Sequence, residues 1–354
     1  MKKLKAVIVG CGNIAETYAN QAKEYPALEI VGFFDLDASR AGDFAAKHGG
    51  SAYESLDEAL NDARVDLVVN LTIHHAHASV SGLALQAGKH VYSEKPLATS
   101  SEDARRLLAA ADAAGVRLAS APSTFLGEAA QTVNRGLRGG SAGTPRVAYA
   151  EINHGRIETW HPNPVPFYKV GPVWDVAVYP LSIWAAFCGP MRSVSAVGRI
   201  LLPSRQSKDG EAFEVAAYDY VTALISFENG MLGRLTTNFY VSPSKQGYSM
   251  EFHGDSGSFF LGSSFLFDAP VEFAAYGKAL ESLPLARDGF HGVEFGRGLD
   301  DFSRAIVEGR PHRCDAAMGA HLVEVIEAIH RSADSAETVE VKSDFPRPAP
   351  MDWA

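Results

Sequence analysis

At 354 residues the chain is too long for one ordinary hydrophobic core, so two domains are expected. Hydrophobic residues make up 46% and charged residues 21%, the balance of a globular protein, and no apolar run reaches the ~20 residues that cross a bilayer. A net charge of −10 argues against nucleic acid or an anionic membrane as partner. The apolar run after Lys2, Lys3 and Lys5 is only a strand long and is cut off at Gly10-Cys11-Gly12-Asn13, so a soluble cytoplasmic protein is expected. The three cysteines, Cys11, Cys188 and Cys314, lie far apart without paired spacing, which argues against a disulfide framework or a zinc site.

Ala6-Val7-Ile8-Val9 reads as a strand buried on both faces. Gly10-Cys11-Gly12-Asn13-Ile14-Ala15 follows, and then a helical pattern through Tyr18 and Ala22. Strand, G-x-G-x-x-A and helix together are a dinucleotide-binding signature. Gly10 allows a tight turn, Gly12 lets a pyrophosphate approach the backbone, and Ala15 lets helix and strand pack closely. The helix N-terminus, at Asn13 and Ile14, offers unpaired N–H groups to phosphate. Leu28 to Phe34 reads as the second strand, with Asp35 at its end, 23 residues after Gly12. A carboxylate there suits the ribose hydroxyls of NAD and repels the 2′-phosphate of NADP, although Arg40 stands close enough to soften that repulsion. NAD is therefore the expected cofactor, ahead of NADP.

The alternation continues. Ser55 to Glu58 is a capping box opening a helix, Asp66 to Thr72 a strand, and Ile73 to His77 the loop at its carboxyl end. Adjacent histidines on a loop rarely converge on one ion, so no metal is expected at His74, His75 and His77. Thr72 and His77 are placed instead on the cofactor. Val80 to Ala87 is a helix and His90 to Ser93 a strand, delivering Glu94, Lys95 and Pro96. Pro96 fixes its own φ and keeps Lys95 out of helical geometry, so the ammonium is held at the sheet edge; the Lys95–Pro96 bond is a candidate for cis. Thr99 to Glu102 reads as another capping box and Val116 to Ser120 as a last strand. The pattern is that of a doubly wound parallel sheet of six strands, an α/β domain spanning residues 1–122.

From residue 123 to 354 strands mostly follow strands: Arg146 to Asn153, Val194 to Leu202, Tyr218 to Phe227, Gly233 to Val241, Gly247 to His253 and Ser258 to Leu261. Asn229-Gly230 is a hairpin signal. Phe125 to Leu137, Leu299 to Glu308 and Met318 to Arg331 read as helices. This second domain is an α+β unit with a large, mostly antiparallel open-faced sheet. Its free face needs a cover. A second subunit is one, so a homo-oligomer, dimer or tetramer, is expected through that sheet.

Two stretches of this domain carry chemistry. If a helix starts near Trp174, Asp175 and Tyr179 stand at i and i+4 on one face, where a carboxylate and a phenol suit proton transfer. His154 to Tyr168 is a long loop rich in Pro and aromatics, read as a substrate wall with Trp160 and His161 as contacts.

These residues together resemble the glucose–fructose oxidoreductase, inositol dehydrogenase and rhizopine-catabolism (Gfo/Idh/MocA) family of NAD(P)-dependent oxidoreductases. The resemblance rests on Gly10 to Ala15, on Ala87-Gly88-Lys89-His90-Val91 leading to Glu94-Lys95-Pro96-Leu97, on Asp175 to Tyr179, and on Gly309 to Arg313 before a helix. It runs nearly end to end, and Glu-Lys-Pro is its specific part. It implies a Rossmann domain, an open-faced sheet domain that often mediates oligomers, and Lys95 and Asp175 at the active site. Many members carry a His four residues after the Asp; here Tyr179 stands there, as in the dihydrodiol dehydrogenase-like and glucose–fructose oxidoreductase-like branches. Gly171-Pro172 also replaces the usual glycine pair.

The expected activity is hydride transfer between NAD and a hydroxyl or carbonyl carbon of a sugar, sugar derivative or polyol. Tyr179 is the first candidate for the proton, with Lys95 stabilising the developing charge or carrying the proton itself, and Asp175 orienting substrate or Lys95. Glu94 and Lys95 are also expected at the cofactor, and Lys95, Asp175 and Tyr179 at the substrate. Two other readings compete: a dinucleotide-binding sensor without chemistry, and a sugar–sugar oxidoreductase with tightly held NADP.

Overall fold

The first apolar run forms strand β1 (Leu4–Val9), whose side chains are almost all buried, as a strand covered on both faces requires. The computed structural model describes residues 3–354. β1 pairs in parallel with β2 (Leu28–Phe34), and the sheet is extended by β3 (Ser51–Ala52), β4 (Leu67–Asn70), β5 (His90–Ser93) and β6 (Leu118–Ser120). The spatial order is 3-2-1-4-5-6. The order reverses between β1 and β4, and a ligand crevice is expected outside the carboxyl ends at that point. Helices α1 (Asn13–Gln21), α2 (Ala38–His48), α3 (Leu56–Asn61), α4 (His77–Gln86) and α5 (Ser101–Ala114) make the connections. The sixth strand is the two-residue β3, which no apolar run announces.

The helix starts follow side-chain capping. Ser55 accepts a hydrogen bond from the Glu58 N–H at 3.1 Å, as expected of the box there. At α5 the capping pair is shifted by one residue. Ser100, not Thr99, is the cap, and its hydroxyl accepts from the Asp103 N–H at 3.1 Å.

The chain then runs through α6 (Glu128–Arg138), β7 (Pro145–Asn153), α7 (Val165–Val170), α8 (Pro172–Asp175) and α9 (Val178–Cys188). Next come β8 (Met191–Arg199), β9 (Ser204–Gln206), β10 (Ala212–Glu214), β11 (Tyr220–Phe227) and β12 (Leu232–Asn238). β13 (Met250–Gly254), β14 (Gly257–Leu261), β15 (Val271–Ala275), β16 (Glu281–Ser282), α10 (Arg297–Glu308), α11 (Ala316–Ser335) and β17 (Val339–Glu340) complete it. Nine of these strands form one sheet in the order 16-15-14-13-7-12-11-8-17. It is antiparallel except at its centre, where β7 and β12 run parallel from Val147↔Leu232 to Asn153↔Asn238. Their carboxyl ends therefore lie side by side. The helix expected from Phe125 is a short 3-10 turn followed by α6, broken at Gly127, where a Cβ would meet the Phe267 ring at 2.7 Å.

Two compact units result. The first holds the residues up to Ser123 together with Glu294–Val323; the second holds Thr124–Val293 and Glu324–Ala354. Residues 294–323 thus cluster with the N-terminal segment, and the second unit is interrupted by them. Within the first unit Arg117 donates to the carbonyls of Ala305 and Arg310 at 3.0 and 2.6 Å, and Ala119 bridges Asp315. In the second unit α9 is buried along nearly its whole length, and its Trp184 meets Phe227 edge to face at 5.9 Å.

Candidate active site

In the first unit the β1–α1 turn is built for close approach. Gly10 has φ +94°, and a Cβ there would lie 2.8 Å from the Leu71 carbonyl. Gly12 is the opposite case: its Cβ would meet nothing within 4 Å. The turn leaves a cradle beside Gly12 that a side chain would enter. Among the described residues no side chain caps the start of α1, so its first N–H groups, at Asn13 and Ile14, point to where a ligand phosphate would bind. Asp35, at the end of β2, is half-buried and held at both oxygens: Cys11 N–H donates at 2.7 Å and Asp37 N–H at 2.9 Å. The carboxylate is thus fixed one residue from Gly12. The Cys11 thiol is pushed up to about 12, first by burial and then by Asp35, so it stays protonated. These residues fit a dinucleotide. Gly12 leaves room for a group of pyrophosphate size beside the first α1 N–H groups, and the Asp35 carboxylate is an acceptor of the kind that ribose hydroxyls bond.

Thr72, past the end of β4, is positioned by buried Asn70. The Asn70 side-chain oxygen accepts from the Thr72 hydroxyl at 2.6 Å, while its amide donates to the His77 carbonyl and to Ser81, each at 3.0 Å. His77, expected on the cofactor, is 1% exposed, with its ring nitrogens 2.7 Å from the Pro96 carbonyl and 3.0 Å from the Thr72 carbonyl. Both ring nitrogens face backbone carbonyls, so neither is turned to a ligand and the ring packs between the Thr72 loop and the Pro96 turn. Glu94 accepts from the Tyr18 hydroxyl on α1 at 2.7 Å and from the Lys95 N–H at 2.9 Å. Burial, then Glu94, holds the Tyr18 phenol well above its ordinary range, so it remains a donor. Lys95 is half-buried and precedes a cis Pro96. Its main chain is anchored from both sides, by Glu94 and by the His77 contact to Pro96.

In the second unit Asp175 and Tyr179 do not share one continuous helix, contrary to expectation. Asp175 ends α8, Val176 leaves helical geometry at φ −120°, ψ −20°, and α9 starts at Val178. The break follows from packing. Val176 and Ala177 are buried, with Val176 in a cluster with Ile152, Ile157, Tyr168, Val215 and Phe239. Seating Val176 there takes the backbone off the helix. Tyr179 is half-buried against Phe265, edge to face at 4.9 Å. A row of rings continues from it: Phe265 lies 6.2 Å from Tyr248, and the Tyr248 hydroxyl bonds the His154 ring. Trp160 is 48% exposed and edge-on to His154 at 5.7 Å, while His161 packs on Phe167 at 4.8 Å.

The loop carrying Trp160 and His161 is locked by a group that no motif marks. Arg205 on β9 is buried and bonds Glu158 at 2.8 Å, with Asp219 as its second acid. Its guanidinium also lies 4.5 Å over the Tyr168 ring, and the Tyr168 hydroxyl bonds Glu158. Glu158 and Tyr168 bracket the loop. A lone Arg in a three-residue strand carries no periodic or motif signal, so only the fold reveals it.

The profile described as "Oxidoreductase family, NAD-binding Rossmann fold" matches residues 4–121, and the "GFO/IDH/MocA C-terminal domain" matches residues 130–260. The chain belongs to the Gfo/Idh/MocA family. Members similar to it include 1,5-anhydro-D-fructose reductase of Ensifer adhaerens, 26% identical over 270 residues, 75% of this chain and 77% of that protein. The scyllo-inositol 2-dehydrogenase (NADP(+)) of Bacillus subtilis is 25% identical over 229 residues, 63% of this chain and 69% of its own length. Among solved structures, levoglucosan dehydrogenase in complex with NADH and levoglucosan superposes with a TM-score of 0.85 at 19% identity, covering 96% of this chain and 100% of that one. That likeness is one of fold. Among the described residues no helix is long and apolar enough to cross a membrane.

Proposed function

We propose that this Gfo/Idh/MocA member transfers hydride between NAD(H) and a hydroxyl or carbonyl carbon of a sugar, sugar derivative or polyol. The observation that carries the reading is the open cradle at Gly12 beside a doubly anchored Asp35, at the switch point of a doubly wound sheet. The two relatives named above are an anhydrofructose reductase and an inositol dehydrogenase, which supports a sugar or polyol substrate. NAD is preferred to NADP because Asp35 would face a 2′-phosphate with its own negative charge, and the nearby Arg40 is already paired with Asp37 at 3.5 Å.

When bound, the nicotinamide supplies the hydride acceptor or donor. The chain's residues supply binding and proton handling. Gly10, Gly12, Asn13 and Ile14 hold the pyrophosphate, Asp35 the ribose, and Thr72 lines the crevice next to the Lys95 turn. Proton transfer at the reacting oxygen is assigned to Tyr179, with Lys95 the alternative carrier; a phenol needs a neighbouring positive charge to act near neutral pH. Asp175 orients the substrate, and Trp160 and His161 form its wall.

Lys95→Ala should lower turnover at least ~100-fold, the usual contribution of a proton-transferring group, while keeping NADH affinity. Fluorescence titration with NADH and NADPH, then a polyol and aldose panel read at the NADH absorbance band, checks both parts. Turnover near wild type in Lys95→Ala overturns the assignment of Lys95. If Tyr179 carries the proton, Tyr179→Phe loses the limb of the kcat/KM profile that its ionisation sets, the acidic limb for alcohol oxidation and the alkaline limb for carbonyl reduction.

The open sheet face bears Val197, Leu224 and Leu232, each more than half exposed, and this supports a homo-oligomer through that face. The cysteines are free and buried, in keeping with a reducing cytoplasm. Light scattering of the purified chain reads the oligomer directly.

A further inference from the structure

Beyond the carboxyl ends of the parallel pair β7 and β12, within the second unit, lies an open cavity of about 470 Å³. Its walls are His154, Arg156 and Trp160 on one loop and Tyr240, Ser242 and Pro243 on the other. Three devices hold the two loops in place. Asn238, at the end of β12, accepts from the Tyr240 and Val241 N–H groups at 3.1 and 2.7 Å and donates to the Asn153 side chain at 2.7 Å. The His154 N–H donates to the Asn238 carbonyl at 3.1 Å. Gly155, at φ +78°, brings the loops so close that a Cβ would lie 2.9 Å from that of Ser242.

The charge in this cavity is unbalanced. The Arg156 guanidinium lies 4.7 Å over the Tyr240 ring and is exposed, and it makes no ion pair among the described residues. The nearest acid in sequence, Glu158, is buried and committed to Arg205. In a chain of net charge −10, a guanidinium displayed on an aromatic wall without an acid partner has the chemistry that pairs with a carboxylate or phosphate. Beside it Trp160, 48% exposed, offers aromatic surface of the kind that packs on a sugar ring. The volume suits a monosaccharide. The ring row His154, Tyr248, Phe265, Tyr179 links the cavity wall to the proposed proton carrier inside the same unit.

We propose, building on the carbohydrate oxidoreductase reading, that this cavity binds the anionic end of the substrate: a carboxylate or phosphate carried on a sugar, paired with Arg156 and stacked on Trp160. The substrate class is thereby a sugar acid or sugar phosphate, not a neutral polyol.

The full chain is titrated with D-glucuronate, D-glucose 6-phosphate and D-glucose by calorimetry, with and without NADH. At least one anion should bind tenfold or more tightly than glucose, and which one does so separates carboxylate from phosphate. Arg156→Gln should remove that preference, Arg156→Lys should restore part of it, and both variants should keep wild-type NADH affinity, which shows that they fold. Trp160→Ala should weaken the preferred anion without erasing its advantage over glucose. Equal affinity for the three sugars, no binding of either anion, or an anion preference that survives in Arg156→Gln overturns the inference. Loss of NADH binding in the wild-type chain overturns the oxidoreductase reading instead, and the sugar titration without NADH still decides the anion question.

Discussion

Two glycines two positions apart separate folding from binding. Gly10 occupies a left-handed backbone conformation with a carbonyl 2.8 Å from any added Cβ, whereas Gly12 faces open space. Gly10→Ala should therefore cost ~1–3 kcal/mol of stability through backbone strain, read as a lower denaturation midpoint. Gly12→Ala should leave the midpoint in place and weaken NADH binding about tenfold or more, about 1.4 kcal/mol, because its methyl enters the cradle that a pyrophosphate would fill. Equal effects of the two variants on the midpoint would contradict this division. The glycine spacing and Asp35 were readable directly, because a turn against β4 and a carboxylate at the end of β2 each need one residue type at one distance. His77 was readable only as a polar residue at a strand end. Its burial between two carbonyls depends on where Pro96 folds, which no local pattern states.

Among the elements, the loop from His154 to Tyr168 shows how an irregular segment is made rigid. Arg205 joins Glu158, Asp219 and Tyr168 in one buried cluster. Arg205→Met should destabilise the chain by about 3–5 kcal/mol, since Glu158 and Asp219 would be left as buried acids without their cation. The denaturant midpoint of the full chain checks this, and a fall of less than about 1 kcal/mol, the scale of an exposed pair, would show that the cluster is solvated. The break between α8 and α9 belongs to the same scale. The spacing of Asp175 and Tyr179 suggested one helical face, but helical spacing is only a local preference. Burying Val176 against Ile152 and Phe239 outweighs the single turn of helix it interrupts.

For the molecule as a whole, neutral histidines set a pH limit. Burial lowers His90 below its ordinary 6.5, aided by Arg117 and His312 and opposed by Asp66. The His90 ring also accepts the Arg117 N–H at 2.9 Å, which its protonated form cannot do at that nitrogen. His330, stacked on Trp174, is lowered by burial as well, against Asp334. A depressed histidine binds its proton more weakly folded than unfolded, so its stabilising contribution is complete above 6.5 and is lost as pH falls through the folded value. Thermal melts from pH 8 downward should be level to about 6.5 and then decline, and His90→Asn should shrink the decline. A midpoint that rises below pH 6.5 would contradict the sign. The sequence by itself determined the doubly wound first sheet, the mostly antiparallel second sheet, the dinucleotide turn and the family, because each rests on periodicity or on residue types at fixed short spacings. The tertiary structure decided what depends on distant chain segments meeting. Residues 294–323 join the first unit, β7 and β12 pair in parallel at the centre of the second sheet, Arg205 locks a loop 37 residues before it, and Arg156 lies over Tyr240 without an ion pair among the described residues. Burial and long-range pairing are properties of the packed chain, and no window of sequence contains both partners.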